Sequence, residues 1–243
     1  MKTLFFSDVH GNLEALQAVL ADASKRGYDA AVSLGDIVGY SADPEACVQI
    51  VSHTHGVSSV LGNHDAAVIS PEYRPYLNPA AQAGVRFAER VLSPESVRYL
   101  RSLPLVIESD GGYTAMHSSP FKPEEWYYVL EPMEARDALQ AMTLPIAFIG
   151  HTHYPAVHNR GGAMLPFLPG EPVVFRPGEK YIVNVGSVGQ PRDGDPRAAY
   201  VMFDGDARRA ELFRVEYNVH AAAMKILEAG LPAMLADRLR RGC

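Results

Sequence analysis

Five short apolar runs in this chain each end on side chains able to hold a metal ion, and that repeated junction limits the fold more than any other feature. SDVHGN follows TLFF, GDIVGY follows AVSL, GNHD follows SSVL, MHSS follows YTA and GHTHYP follows PIAFI. Runs that are apolar throughout suit strands buried on both faces. In an open α/β sheet the carboxyl ends of such strands converge on one crevice. Asp8, His10, Asp36, Asn63, His64, His117, His151 and His153 are therefore expected to meet at one place. The set is too large for one ion and suits two that share a carboxylate.

His-Thr-His occurs twice, and the settings differ. His151-Thr152-His153 follows an apolar strand and a glycine, and extended backbone puts residues i and i+2 on the same side. His53-Thr54-His55 follows an amphipathic helix and precedes a strand, at the opposite end of the sheet, where histidine near a helix C-terminus simply favours the negative end of the dipole.

Helical patterns separate the early runs. NLEALQAVLADASKRG places Leu13, Leu16, Val19 and Leu20 on one face, with Gly27 after the basic end. PEACVQIVSH gives a second helix, and Asn78-Pro79 and Ser93-Pro94 each pair an N-cap with proline at the first helical position. From about Lys180, KYIVNVG, AAYVMFDG and ELFRVEY follow one another with little helix between, which predicts a second, more antiparallel sheet. MLPFLPGEPVVFRPGEK predicts a long surface hairpin, and the stripe through Met224, Ile226, Leu227 and Leu231 predicts a closing helix over 219–241. No linker divides the chain, so residues 1–243 are expected to form a single domain.

Composition narrows the function classes. With 47% apolar residues the chain supports a sizeable core, and a net charge of −6 offers no basic field for a stable nucleic-acid partner. No segment approaches the ~20 apolar residues that span a bilayer, so neither membrane association nor a signal peptide is expected and the location is expected to be cytoplasmic. Cys47 and Cys243 lack the number and spacing of a thiolate site or disulfide framework. Any metal is held by nitrogen and oxygen.

Taken singly, a GD pair, an HxH or a GNHD tetrapeptide is compatible with an ordinary turn. Taken in order, DVHGN, GDIVG, GNHD, a lone His after a strand, and GHTH resemble the calcineurin-like metallophosphoesterase superfamily, and NVGSVGQPRDGDPRAAY resembles the closing motif of its small bacterial and archaeal phosphodiesterase branch. The resemblance covers about residues 3–204. It implies a four-layer α/β/β/α sandwich of two mixed sheets flanked by helices, with a dinuclear site at strand C-terminal ends. It further implies a first ion on Asp8, His10 and His153, a second on Asn63, His117 and His151, and Asp36 as the catalytic bridge. His64 would not ligate but would donate to the phosphate or act as general acid. Two such ions can share a hydroxide that attacks a small phosphodiester or nucleotide-like substrate directly. Mn is the leading expectation, with Fe, Zn, Co or Ni compatible with the donors.

Asn12 at the first helix N-terminus and Arg192 in the closing motif are expected to contact substrate; for Arg192 the alternative is a surface salt bridge with Asp193 or Asp195. GDIVGY and GNHD stand where family protein phosphatases carry GDxVDRG and GNHE, which disfavours phosphoprotein substrates. Trp126, Tyr127 and Tyr128 either stack on an aromatic part of the substrate or pack at the pocket rim. A catalytically silent phosphate-binding or scaffold protein of the same fold is the alternative to an enzyme, and a homo-oligomer is compatible with either.

Overall fold

A computed structural model describes residues 1–110 and 112–243. β1 (Lys2–Phe6), α1 (Leu13–Arg26), β2 (Ala30–Ser33), α2 (Pro44–His53) and β3 (Val57–Ser59) form the opening β-α-β-α-β unit. A helical stretch follows: α3 (Asn63–Ile69), a 3-10 turn over Pro71–Tyr76, α4 (Pro79–Val91) and α5 (Pro94–Ser102). Next come β4 (Val106–Ser109), β5 (Tyr113–Met116), α6 (Pro132–Ala141), β6 (Ile146–Ile149), β7 (Ala156–His158), β8 (Met164–Leu165), β9 (Val173–Val174) and β10 (Tyr181–Asn184). The described chain closes with β11 (Ala198–Asp204), β12 (Arg209–Val215), α7 (Val219–Glu228) and α8 (Ala233–Arg241).

The strands make two mixed sheets, in the orders β3-β2-β1-β11-β12-β9 and β4-β5-β6-β10-β7-β8. β1, β2 and β3 are parallel in the first, and β5, β6 and β10 in the second. Side-chain alternation along β1 shows how the layers stack. Leu4 and Phe6 point outward to Leu16, Val19 and Val48 of α1 and α2, whereas Phe5 points inward to the other sheet. There its ring stacks on Phe148 of β6, with centroids 3.8 Å apart and planes 10° from parallel. Burying each such ring contributes about 1.5–3 kcal/mol. Ala135, Ala138 and Leu139 of α6 cover the outer face of the second sheet, completing the four-layer sandwich.

Local chemistry accounts for the helix starts. Asn12, Asn78 and Ser93 accept hydrogen bonds through their side chains from the amides of Ala15, Ala81 and Ser96 at 3.2, 3.0 and 3.1 Å. Two expectations are corrected. The Pro/Gly-rich stretch is not a hairpin: β8 pairs with β7 in one sheet and β9 with β12 in the other, so the segment crosses between sheet edges. The closing helix is two helices, because Gly230 takes φ 70° and Pro232 stands as N-cap of α8. Among the described residues no helix is long and apolar enough to cross a membrane.

Candidate metal centre

The loops that carry the candidate ligands leave β1, β2, β5 and β6 at their carboxyl ends, and GNHD opens α3 just past β3. Their backbone is unusual. Asp8, His10, Asp36, His151 and His153 have φ of 54°, 51°, 52°, 67° and 65°. Left-handed conformations are uncommon outside glycine and cost of order 1–3 kcal/mol each. Here they turn successive side chains back into one buried volume. Asp8, His10, Asp36, His64, His117, His151 and His153 are all at most 6% exposed, and Asn63 is 9% exposed.

Two clusters result. In one, His153 Nε2 lies 3.2 Å from Asp8 Oδ1 and 3.1 Å from His10 Nε2. In the other, His117 Nε2 lies 3.0 Å from Asn63 Oδ1 and 3.1 Å from His151 Nδ1. Asp36 Oδ2 stands between them, 3.7 Å from His10 Nε2 and 3.4 Å from His117 Nε2.

The outer hydrogen bonds decide what these atoms are for. His10 Nδ1 donates to the carbonyl of Val38 at 3.1 Å, His117 Nδ1 to that of Leu34 at 2.7 Å, and His153 Nδ1 to that of Gln190. His151 uses its other nitrogen, Nε2 donating to the carbonyl of Trp126 at 2.9 Å. A carbonyl that takes the proton of one ring nitrogen leaves a lone pair on the other. Each cluster therefore aims two imidazole lone pairs and carboxylate or amide oxygens at one point. Such a donor set repels itself unless positive charge sits within it, and mixed nitrogen and oxygen ligands at this spacing fit a divalent cation.

Protonation follows the same logic. Burial opposes charge on Asp8 and Asp36, yet the surrounding histidines, His153 for Asp8 and His117 for Asp36, hold both carboxyls below their ordinary range. Burial also opposes charge on His117, but the Asp36 carboxylate raises it to about 9, so at neutral pH a proton occupies its Nε2 lone pair unless a cation takes that place. Burial and His117 press His151 down to about 3, and burial and Arg192 press His153 to about 4.

His64 is placed differently. Its backbone amide donates to Asp36 Oδ1 at 2.8 Å, and its ring lies 4.7 Å from that of His10. A methyl group built on Gly39, whose φ is 108°, would lie 2.3 Å from His64 Nδ1, so that nitrogen is packed against backbone and the other edge of the ring reaches the cavity. Burial holds its pKa well below the ordinary histidine value, with the attraction of Asp36 insufficient to reverse it. The ring is therefore uncharged at neutral pH.

The cavity over the clusters measures about 580 Å³ and is lined by Asp36, Asn63, His64, His151, His153 and Arg192, and by a group of tyrosines. Arg192 Nη2 donates to Tyr40 Oη and Gln190 Oε1, both at 3.2 Å. Its alternative salt bridges are taken elsewhere, since Asp193 pairs with Arg214 and Asp195 with Arg197. Asn12 does not line the cavity. Its amide is used in full within the scaffold: Oδ1 caps α1, while Nδ2 donates to the carbonyl of Gly189 at 2.9 Å and to Tyr217 Oη at 3.3 Å. His53 and His55 are exposed, and His53 Nδ1 bonds the Gln49 carbonyl in its own helix, away from the centre.

Several residues here carry no role in the motif reading. Asn184 donates to the Gly150 carbonyl at 2.7 Å and Thr152 Oγ1 at 2.9 Å, fixing the loop that bears His151 and His153. Ser187 Oγ donates to the Asp8 carbonyl at 2.9 Å. Asp65 accepts from the amides of Val38 and Gly62 at 3.1 and 3.2 Å, and burial together with Asp36 raises it to about 7. The NVGS and GNHD strings contain these residues, but only the fold reveals whose backbone they hold.

Residues 1–208 match the calcineurin-like phosphoesterase superfamily domain, and the chain belongs to that superfamily. Among individual proteins, it is 39% identical over 239 residues to an uncharacterized protein of Methanocaldococcus jannaschii, covering 97% of this chain and 96% of that one. The crystal structure of a metallophosphoesterase from Sphaerobacter thermophilus superposes with a TM-score of 0.90 at 40% identity, covering 100% of this chain and 99% of the other. The phosphodiesterase YfcE of Escherichia coli is 26% identical over 215 residues, covering 85% of this chain and 89% of YfcE.

Proposed function

We propose that the chain hydrolyses small phosphodiesters, nucleotide-like ones included, with two divalent cations, Mn in the first instance, held by the paired clusters. The observation that carries this reading is the sharing of Asp36 Oδ2 between two sets of converging lone pairs. Asp8, His10 and His153 would hold one ion, Asn63, His117 and His151 the other, with Asp36 between. Bound there, the ions supply Lewis acidity that activates water and neutralises charge growing on the phosphate oxygens.

The protein's own groups do the rest. The His64 edge that reaches the cavity donates a hydrogen bond to a phosphate or leaving-group oxygen, and a neutral ring does so without adding to the charge already concentrated there. Arg192, oriented by Tyr40 and Gln190, supplies a fixed positive contact at the cavity wall.

The test is cleavage of bis-p-nitrophenyl phosphate beside p-nitrophenyl phosphate by chelator-treated protein resupplied with single divalent ions. Faster, ion-restored cleavage of the diester supports the reading. Two bound ions with no turnover of either ester would favour a silent phosphate-binding protein.

A further inference from the structure

Above the clusters the cavity changes character. Tyr73 and Tyr76 of the 3-10 turn line it, as does Tyr128, which lies over His151 with its ring 4.2 Å away and 14° from parallel. Tyr76 is 87% exposed and Tyr128 46% exposed, so much of their ring surface is not consumed by packing. The turn is nonetheless fixed: Tyr73 packs against the core, and Arg74 donates from Nε to the Ala67 carbonyl at 3.0 Å and from Nη2 to Glu89 at 2.8 Å. Aromatic side chains carried on an anchored turn bind a flat ligand at reduced ordering cost.

Charge limits what else the ligand carries. Glu124 and Glu125 line the same cavity, and among the described lining residues Arg192 is the only lysine or arginine. Each phosphate beyond the reacting one would face those carboxylates with no further cation to meet it. Groups bearing N–H bonds would instead find acceptors.

We propose that Tyr73, Tyr76 and Tyr128, with Glu124 and Glu125, form a specificity subsite for a planar, N–H-bearing ring such as a nucleobase, joined to a single phosphodiester and not to a polyphosphate. The proposal rests on the phosphodiesterase reading above and names its substrate class. The cavity volume of about 580 Å³ suits a ligand of nucleoside phosphate size.

Three diesters that share one leaving group test it on the metal-loaded full chain: methyl, phenyl and thymidine 5′-p-nitrophenyl phosphate. The thymidine ester is expected to have the highest kcat/KM. In Tyr76→Ala the ratio of thymidine to methyl ester is expected to fall about 5- to 150-fold, the range for loss of one base–aromatic stack. In the double variant Glu124→Gln, Glu125→Gln, inhibition by a dinucleoside tetraphosphate should strengthen relative to thymidine 5′-phosphate. Equal kcat/KM for the three esters, with a ratio untouched in Tyr76→Ala, would overturn the proposal.

A second readout does not need turnover. The chain has one tryptophan, Trp126, and it lines this cavity. Thymidine 5′-phosphate should quench its emission at concentrations where ribose 5-phosphate does not, and Tyr76→Ala should weaken that quenching. Identical responses to both phosphates would reject the subsite even if no ester were cleaved, whereas selective quenching without cleavage would sink only the hydrolase reading.

Discussion

The amide of His64 donates to Asp36 Oδ1 at 2.8 Å, which ties the carboxylate between the two clusters to the first turn of α3 and leaves Oδ2 turned toward His10 and His117. One aspartate thus has its two oxygens assigned to different tasks, one to position and one to charge.

Asp36→Asn separates these tasks. The amide oxygen can still accept from His64, but the negative charge between the clusters is gone. Metal content measured by mass spectrometry is expected to fall at both sites, with activity down at least about 10²-fold, as for loss of a preorganised electrostatic group. Full occupancy by two ions would argue that Asp36 does not bridge.

His64→Ala should behave in the opposite way. The ring makes no contact that fixes a ligand's tautomer, so two ions should remain bound while kcat falls roughly 10²–10³-fold, as for one preorganised hydrogen-bond donor. Loss of an ion from this variant would place His64 among the ligands instead.

Gly62→Ala targets space alone. A methyl group at Gly62 would lie 2.2 Å from both the backbone nitrogen and Oδ1 of Asp36. Relief requires moving the chain that carries the shared carboxylate, so a stability loss of about 1–3 kcal/mol and reduced metal binding are expected together. Calorimetry and metal analysis on one preparation check it; normal values for both would show that the loop yields freely.

Asp22 gives a pH-dependent test far from the metals. Hydrogen bonds from Arg26, and then from Tyr200, outweigh partial burial and hold its carboxyl below the ordinary range. A folded pKa below the unfolded value of about 3.9 gives stability that is present above that pH and lost as pH falls through the folded value. Asp22→Asn should therefore be less stable than the parent near neutrality, by no more than about 1 kcal/mol for so accessible an ion pair. In urea melts the gap should close below roughly pH 4. A gap that stayed constant with pH would assign the effect to packing beside Tyr200.

The parts of this molecule that were legible beforehand are those written in local chemistry. Proline after Asn78 or Ser93 announces a helix start within a few residues, and ligand side chains after TLFF or PIAFI announce strand ends. What escaped depends on neighbours distant in sequence. β4 reads VIES and is only partly buried at a sheet edge, and β7 is the short AVH, made a strand by pairing with β10. The crossing from β8 to β9 could not be told from a hairpin because each pair of residues finds its partner in a different sheet. At the centre, residue types reveal candidate ligands, but the left-handed backbone at Asp8 or His153 and the carbonyls that select each ring nitrogen arise only in three dimensions.

The stacked rings of Phe5 and Phe148 stand three residues before Asp8 and three before His151, whose amide donates to Asp8 Oδ2 at 3.0 Å. The stack lies deep in the oily layer between the sheets, directly behind the loops that carry Asp8 and His151. Trading one ring for a slimmer or bulkier side chain is expected to change which ionic radius the protein accommodates, with every ligand left in place.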